Sequence, residues 1–319
     1  MGRVALLSSP GITAGLPGYE IRAYVLDRDI RMTMAIGVLC ARVRVEEKRI
    51  MAELERAGVL TMPVPPAALP LPPDPTLQDV QAIINESPGC QDARPLVMID
   101  RVQNRAVGRI INRLLRQAGI TMIDAGVASR RNRLQVASVW DAAGVPRPRS
   151  LVAFSESTAM MAANQLGYPA TMFPMLHSSA AASLPDADTA DAVIEHRVVL
   201  GTDEEEIVML QAGALVGDTE HYLIHTAGYR AVAVDGEVVP PTDALALAGQ
   251  AAEALTAGTI AIEVACINHT WVAWDAVPLA DFRKAMLLGE TSVEEAISAH
   301  ALAKLQDKEQ EVRDVALTH

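Results

Sequence analysis

Aromatic residues make up only 3% of this 319-residue chain, and lysine is scarcer still: of 27 basic residues, four are lysine (Lys48, Lys284, Lys304 and Lys308). No lysine lies between Lys48 and Lys284, so any phosphate chemistry in that span must use arginine, histidine or backbone N–H groups. The net charge of −12 argues against a nucleic-acid face, which needs a basic stripe. Cys40, Cys90 and Cys266 are odd in number and far apart, so neither a disulfide framework nor a zinc cluster is expected, and a reducing cytoplasm suits them. No apolar run approaches the ~20 residues of a membrane span, and the N-terminus lacks the apolar core of a signal peptide. The motifs GxGxxG, Walker lysine loop, GxSxG and HExxH are all missing. His221 and His225 lie four apart in the β-type stretch "HYLIH", too far separated on a strand for an easy shared ion.

What is present is enough apolar residue, 50%, for more than one core. Ala, Val, Leu, Ile and 13 Met must fill it. "MAIGVLCARV" (34–43) reads as a buried strand feeding a helix over 44–59, the opening of an α/β unit. Residues 63–75 hold seven prolines and read as a surface loop. "PLVMID" (95–100) is a strand. The helix 104–120 that follows is expected to turn Val107, Ile110, Ile111, Leu114 and Leu115 inward and its arginines outward. "TMID" is a further short strand, and a helix over 132–150 is stopped by Gly144 and two prolines.

Beyond it the pattern becomes α+β. "SLVAF" and "YPATMFPML" are strands around a helix over 157–167, another helix covers 188–201, and "EEIVMLQAGAL" is a strand. The alternating segment 229–239 predicts a hairpin around Asp235-Gly236. An Ala-rich helix over 242–258 precedes two strands (259–275) joined at Asn268-His269, and Ser292 with Glu295 reads as the capping box of a terminal helix.

The order of these parts resembles the ATP-grasp superfamily. More closely, it resembles the branch of the ribosomal-protein glutamate ligase and of the lysine-biosynthesis ligase that joins 2-aminoadipate to an amino-group carrier protein. The likeness runs from about residue 34 to 300 and rests on the order and spacing of "IGVLCARVRVEEKRIMAELERAGV", "DRVQNRAVGRIINRLLRQAGI", "AAGVPRPRSLVAF", "QLGYPATMFPM" and "WDAVPLADFRKA". It implies an α/β plus α+β fold of three subdomains. The divisions are an N-terminal extension (1–33), a parallel α/β layer (34–125), a lid subdomain (126–205), a C-terminal subdomain (206–300) and a helical tail (301–319). It also implies ATP gripped between two α+β subdomains with Mg²⁺ on its phosphates, an acyl-phosphate intermediate captured by an amine, and a homo-oligomer.

Matched residue by residue, the resemblance gives each part a position here. Asn132-Arg133 stands where the first phosphate lysine and its preceding Asp would be, and Phe173 stands where the second lysine would be. His177-Ser178-Ser179 opens the stretch matching a glycine-rich closing loop, and Gln211 matches the adenine hinge. Arg230 is expected to meet phosphate or substrate; Glu263 and Asp275 match metal ligands, with Val277 in place of the asparagine. Asp281 and Arg283 match a substrate-facing segment, and Arg101, Arg105 and Arg109 are expected to meet an acidic carrier tail. The implied function is an ATP-dependent carboxylate–amine ligase with impaired or lost catalysis. The alternative is a non-catalytic paralogue that partners an active ligase or an amino-group carrier protein.

Overall fold

A computed structural model of the chain describes residues 33–86, 93–130, 132–174, 181–199, 207–215 and 219–317. Residues 1–32 of the expected N-terminal extension and the loop residues His177, Ser178 and Ser179 lie outside the described residues.

Strands β1 (Thr33–Leu39), β2 (Leu60–Val64), β3 (Ala93–Asp100) and β4 (Thr121–Ile123) form an all-parallel sheet in the order β2-β1-β3-β4. The crossovers are helical: α1 (Val45–Arg56), α2 (Leu77–Asn85) and α3 (Arg105–Gln117). β1 is buried along Ala35, Ile36, Val38 and Leu39, which is why it reads as an unbroken apolar run. The proline-rich stretch is only partly loop. Pro63 sits inside β2, which tolerates it because β2 is the edge strand and an absent N–H there breaks no second ladder. α2 begins directly after the prolines, with Thr76 and Asp79 capping each other's backbone.

The expected inward face of α3 is also corrected. Ile111 and Leu115 are buried, but Val107 and Ile110 are exposed, and Arg105 and Asn112 are buried instead. The cause is Asp100, a fully buried carboxylate at the end of β3 that must be hydrogen-bonded. It accepts from Arg105 Nη2 (2.6 Å), Asn112 Nδ2 (2.7 Å) and the Val102 N–H (2.9 Å), which turns that side of α3 towards the sheet.

Helix α4 (Arg133–Ala142) leads into the second sheet, antiparallel, of β5 (Ser150–Ala153), β6 (Ala170–Pro174), β7 (Ala182–Leu184) and β8 (Val208–Ala212) in the order β5-β8-β6-β7. α5 (Glu156–Leu166) and α6 (Ala187–Ile194) cover one face of it through an alanine-rich core that includes Ala159, Ala163, Ala190 and Ile194.

The third sheet joins β9 (His221–Ala227), β10 (Arg230–Val234), β11 (Thr259–Ile267), β12 (Thr270–Val277) and β13 (Met286–Leu287) in the order β12-β11-β9-β10-β13. α7 (Thr242–Ala254) packs on it. The β11–β12 turn is Asn268-His269, both with positive φ (49° and 62°), as a two-residue hairpin demands. The other hairpin is not at Asp235-Gly236. β9 turns into β10 at Gly228-Tyr229 (φ 55° and 68°), and β10 then pairs with β13 on its far side. Asp235 instead accepts a hydrogen bond from His225 (Nε2–Oδ1 2.8 Å), and Val238 and Val239 stand exposed before α7. The terminal helix α8 (Val293–Leu317) starts with the Ser292/Glu295 box and packs Ile297, Ala301 and Leu305 with Ile50 and Leu54 of α1. Among the described residues, no helix is long and apolar enough to cross a membrane.

Candidate functional site

Arg133 is the first residue of α4, whose N-cap Asn132 accepts from the Gln135 N–H (3.2 Å). The side chain is buried and reaches two strands, β6 and β12. Nη1 donates to the Pro174 carbonyl at the end of β6 (3.0 Å), Nη2 donates to Asp275 Oδ2 on β12 (2.9 Å), and the guanidinium lies 4.7 Å from the centre of the Phe173 ring. The residue expected to hold phosphate therefore already pairs with Asp275 and with the Pro174 carbonyl.

The β11–β12 register sets Glu263 directly beside Asp275, so their side chains share one face of the sheet. Burial pushes the Glu263 carboxyl up to about 7, with the Asp275 charge adding to the rise and His221 and Arg133 opposing it. Because the folded-state value lies above the unfolded one, the stabilising contribution is complete below about pH 4.5 and is lost as pH rises through about 7. We expect Glu263→Gln to melt like the wild type at pH 4 and above it at pH 8, in paired thermal melts across that range. Equal melting at both pH values would contradict this.

Across β9 the residue facing Glu263 is Leu223, an apolar side chain. Arg230 is not brought to this cluster. It opens β10 opposite Ala227, which itself lies opposite Thr259 of β11, four residues short of Glu263. That is about 13 Å along the strand and about 10 Å across two strands. Arg230 lines a different cavity, of about 410 Å³, with Gly228, Glu290 and His300. The shifted hairpin explains the misplacement: Arg230 begins the second strand of the pair rather than the first.

Gln211 is buried on β8, and its side-chain amide donates to the Trp274 carbonyl (3.4 Å). Arg101 is not a surface cation: it is buried, bonded to Glu47 (Nε–Oε1 3.1 Å) and stacked 5.3 Å from the Phe282 ring. Arg105 is likewise buried, on Asp100 and the Val102 carbonyl (2.7 Å). Asp281 and Arg283 form an exposed pair, which holds the Asp281 carboxyl well below its usual range, and Arg283 also approaches Glu46 (3.6 Å). A cleft of about 310 Å³ is lined by Gln103, Arg105, Arg133, Asp275 and residues 276–279.

The sequence reading missed Trp274. Phe173 and Met209 of the second sheet meet Ala265, Val272 and Trp274 of the third in a single apolar cluster, and the Phe173 and Trp274 ring centres are 6.4 Å apart. The available signal was two aromatic residues at matched site positions in a chain that has few.

No family model matches the chain. Over 131 residues, 40% of its length, it is 27% identical to the D-alanine–D-alanine ligase of Stutzerimonas stutzeri (strain A1501) and 25% identical to that of Pseudomonas fluorescens (strain Pf0-1). These matches span only 38% and 37% of those curated relatives. Among solved structures, a RimK domain ATP-grasp protein from Sphaerobacter thermophilus superposes with a TM-score of 0.65 at 23% identity, covering 84% of this chain and 100% of that one. The ATP-grasp ligase PsnB, complexed with minimal precursor, Mg and ADP, gives 0.60 at 15% identity, covering 85% of this chain and 98% of that one. A D-alanine–D-alanine ligase from Bacillus anthracis complexed with ATP gives 0.57 at 12% identity, covering 88% and 99%. The chain has the ATP-grasp fold.

An ATP-grasp site implies a nucleotide between the second and third sheets and Mg²⁺ on its phosphates, and the residues present can be tested against both. Mg²⁺ requires several oxygen ligands free to coordinate. Asp275 is neutralised by Arg133, its Oδ1 already accepts from the Ala276 N–H (2.9 Å), and the Val277 side chain offers no oxygen. Among the described residues no group of three His, Cys, Asp or Glu is placed to hold a metal. His225 is bonded to Asp235, and His221 Nδ1 lies 2.9 Å from the Thr219 carbonyl oxygen. The donor set does not fit Mg²⁺. Among the described residues, Phe173, Met209 and Trp274, each 3–5% exposed, pack together between β6/β8 and β11/β12, where a nucleotide would lie. Burial pushes the Cys40 thiol up to about 11.

Proposed function

We propose that this protein is an ATP-grasp carboxylate–amine ligase scaffold that no longer drives catalysis with ATP and serves as a non-catalytic partner or binding subunit. Its partner is an active ligase or an amino-group carrier protein. The observation that carries the reading is the filled contact between the second and third sheets, sealed at its edge by the Arg133–Asp275 pair (2.9 Å). Phosphoryl activation of a carboxylate depends on cations and a metal aimed at the developing charge, each worth about 10²–10³ in rate. Here Phe173 and Leu223 are apolar where the site faces inward, and the arginine nearest to it is consumed in an internal pair. The curated ligases that the chain matches act on D-alanine, as their names state; the substrate class is carried here only as that of carboxylate–amine ligases in general.

Thermal melts with and without millimolar Mg-ATP test the proposal. A ligand at about 100 times its Kd adds about 2.7 kcal/mol and several degrees. The expected shift is below about 1 °C, within which no site of useful affinity fits. A shift of several degrees, with ADP formation in the presence of amino acids, would overturn the reading.

A further inference from the structure

A second cavity, of about 1000 Å³, shares no lining residue with the Arg133–Asp275 cleft. It lies between α3, the edge strand β4 and α8, and its size is at the upper end of small-molecule sites. Its walls are basic although the chain carries a net charge of −12. Arg109, Arg113 and Arg116 line it from α3. Their i, i+4, i+7 spacing sets them along one helix face over roughly 10 Å. Lys304 lines it from α8.

The one carboxylate in the lining, Asp124, is already occupied. It accepts from Arg116 (2.8 Å), Asn112 (3.2 Å) and the Gly126 N–H (2.9 Å). Arg109 and Arg113 are exposed to the cavity and have no ion-pair partner among the described residues. Two further atoms lack partners. Ser129 Oγ and Asn112 Oδ1 belong to lining side chains only 4% exposed, and neither makes a hydrogen bond.

We infer that this cavity binds a small polyanion, a phosphorylated or polycarboxylate metabolite, independently of the nucleotide interface. Arg109 and Arg113 present guanidinium forks matched to phosphate or carboxylate oxygens. Arg116 stays with Asp124 and closes the inner wall.

Calorimetric titration of the full chain with inorganic pyrophosphate, and separately with citrate, tests this. At least one probe binds, and its affinity falls at least about tenfold between about 20 mM and about 300 mM KCl, as screening of exposed charges requires. Binding of pyrophosphate alone assigns the phosphorylated class, and binding of citrate alone assigns the polycarboxylate class. Arg109→Ala/Arg113→Ala removes two exposed side chains and weakens binding at least about tenfold, while Arg230→Ala, which removes an exposed arginine elsewhere, leaves it within about twofold. The inference fails if the wild type binds neither probe, if the double variant binds as the wild type does, or if Arg230→Ala weakens binding as much as the double variant.

Discussion

Replacing Trp274 with alanine lowers stability by about 3–5 kcal/mol, the range for truncating a large buried aromatic side chain. The ring is 4% exposed and sits against Phe173 of the opposite sheet, with its ring edge 3.5 Å from where a side chain on Gly213 would begin. The void opens between two sheets, in a cluster whose other buried members are Phe173, Met209, Val272 and Ala265. Urea denaturation at pH 7 gives the number. A loss below about 1 kcal/mol would mean that the ring makes little contact in solution and that the two sheets stand apart. Trp271, half-buried at the β11–β12 hairpin, provides the comparison and should lose clearly less.

The second large effect is expected at Asp100. Asp100→Ala strips Arg105 and Asn112 of the carboxylate oxygen that both share and leaves a guanidinium buried at 5% exposure. Removing one member of a buried pair costs about 3–5 kcal/mol, because the remaining charge is neither solvated nor paired. Replacing both members together is far milder. Asp100→Leu/Arg105→Met should recover more than half of the loss in the same denaturation experiment. A double variant as unstable as Asp100→Ala would show that the pair fixes the position of α3 in some way beyond satisfying its own charges.

These two positions also mark where the sequence was legible and where it was not. Local patterns could be read directly. The apolar run of β1, the helix stop at Gly144, the Asn268-His269 turn and the Ser292/Glu295 cap each depend on neighbours within a few residues, and each stands in the structure. What failed depends on partners far along the chain. Arg105 reads as an outward arginine on a helix until Asp100, buried at a strand end, claims it. Pro63 reads as loop until β1 supplies a sheet edge that tolerates it. Asp235-Gly236 carries a strong turn signal, yet β13, more than fifty residues later, takes the free side of β10 and the hairpin closes at Gly228-Tyr229 instead. That shift removed Arg230 from the site and put Leu223 opposite Glu263. Arg133, Glu263 and Asp275, matched only through the family resemblance, lie together in the structure. The sequence did not reveal that Arg133 and Asp275 satisfy each other, since their 142-residue separation leaves no local trace.

A crystal structure of the protein grown or soaked with Mg²⁺ and a non-hydrolysable ATP analogue tests the central claim most directly. The expected map shows no nucleotide between β6/β8 and β11/β12, Phe173 against Trp274, and Arg133 still on Asp275. An analogue seated between the two sheets, with Mg²⁺ held by Glu263 and Asp275 and Arg133 turned onto its phosphates, would contradict it.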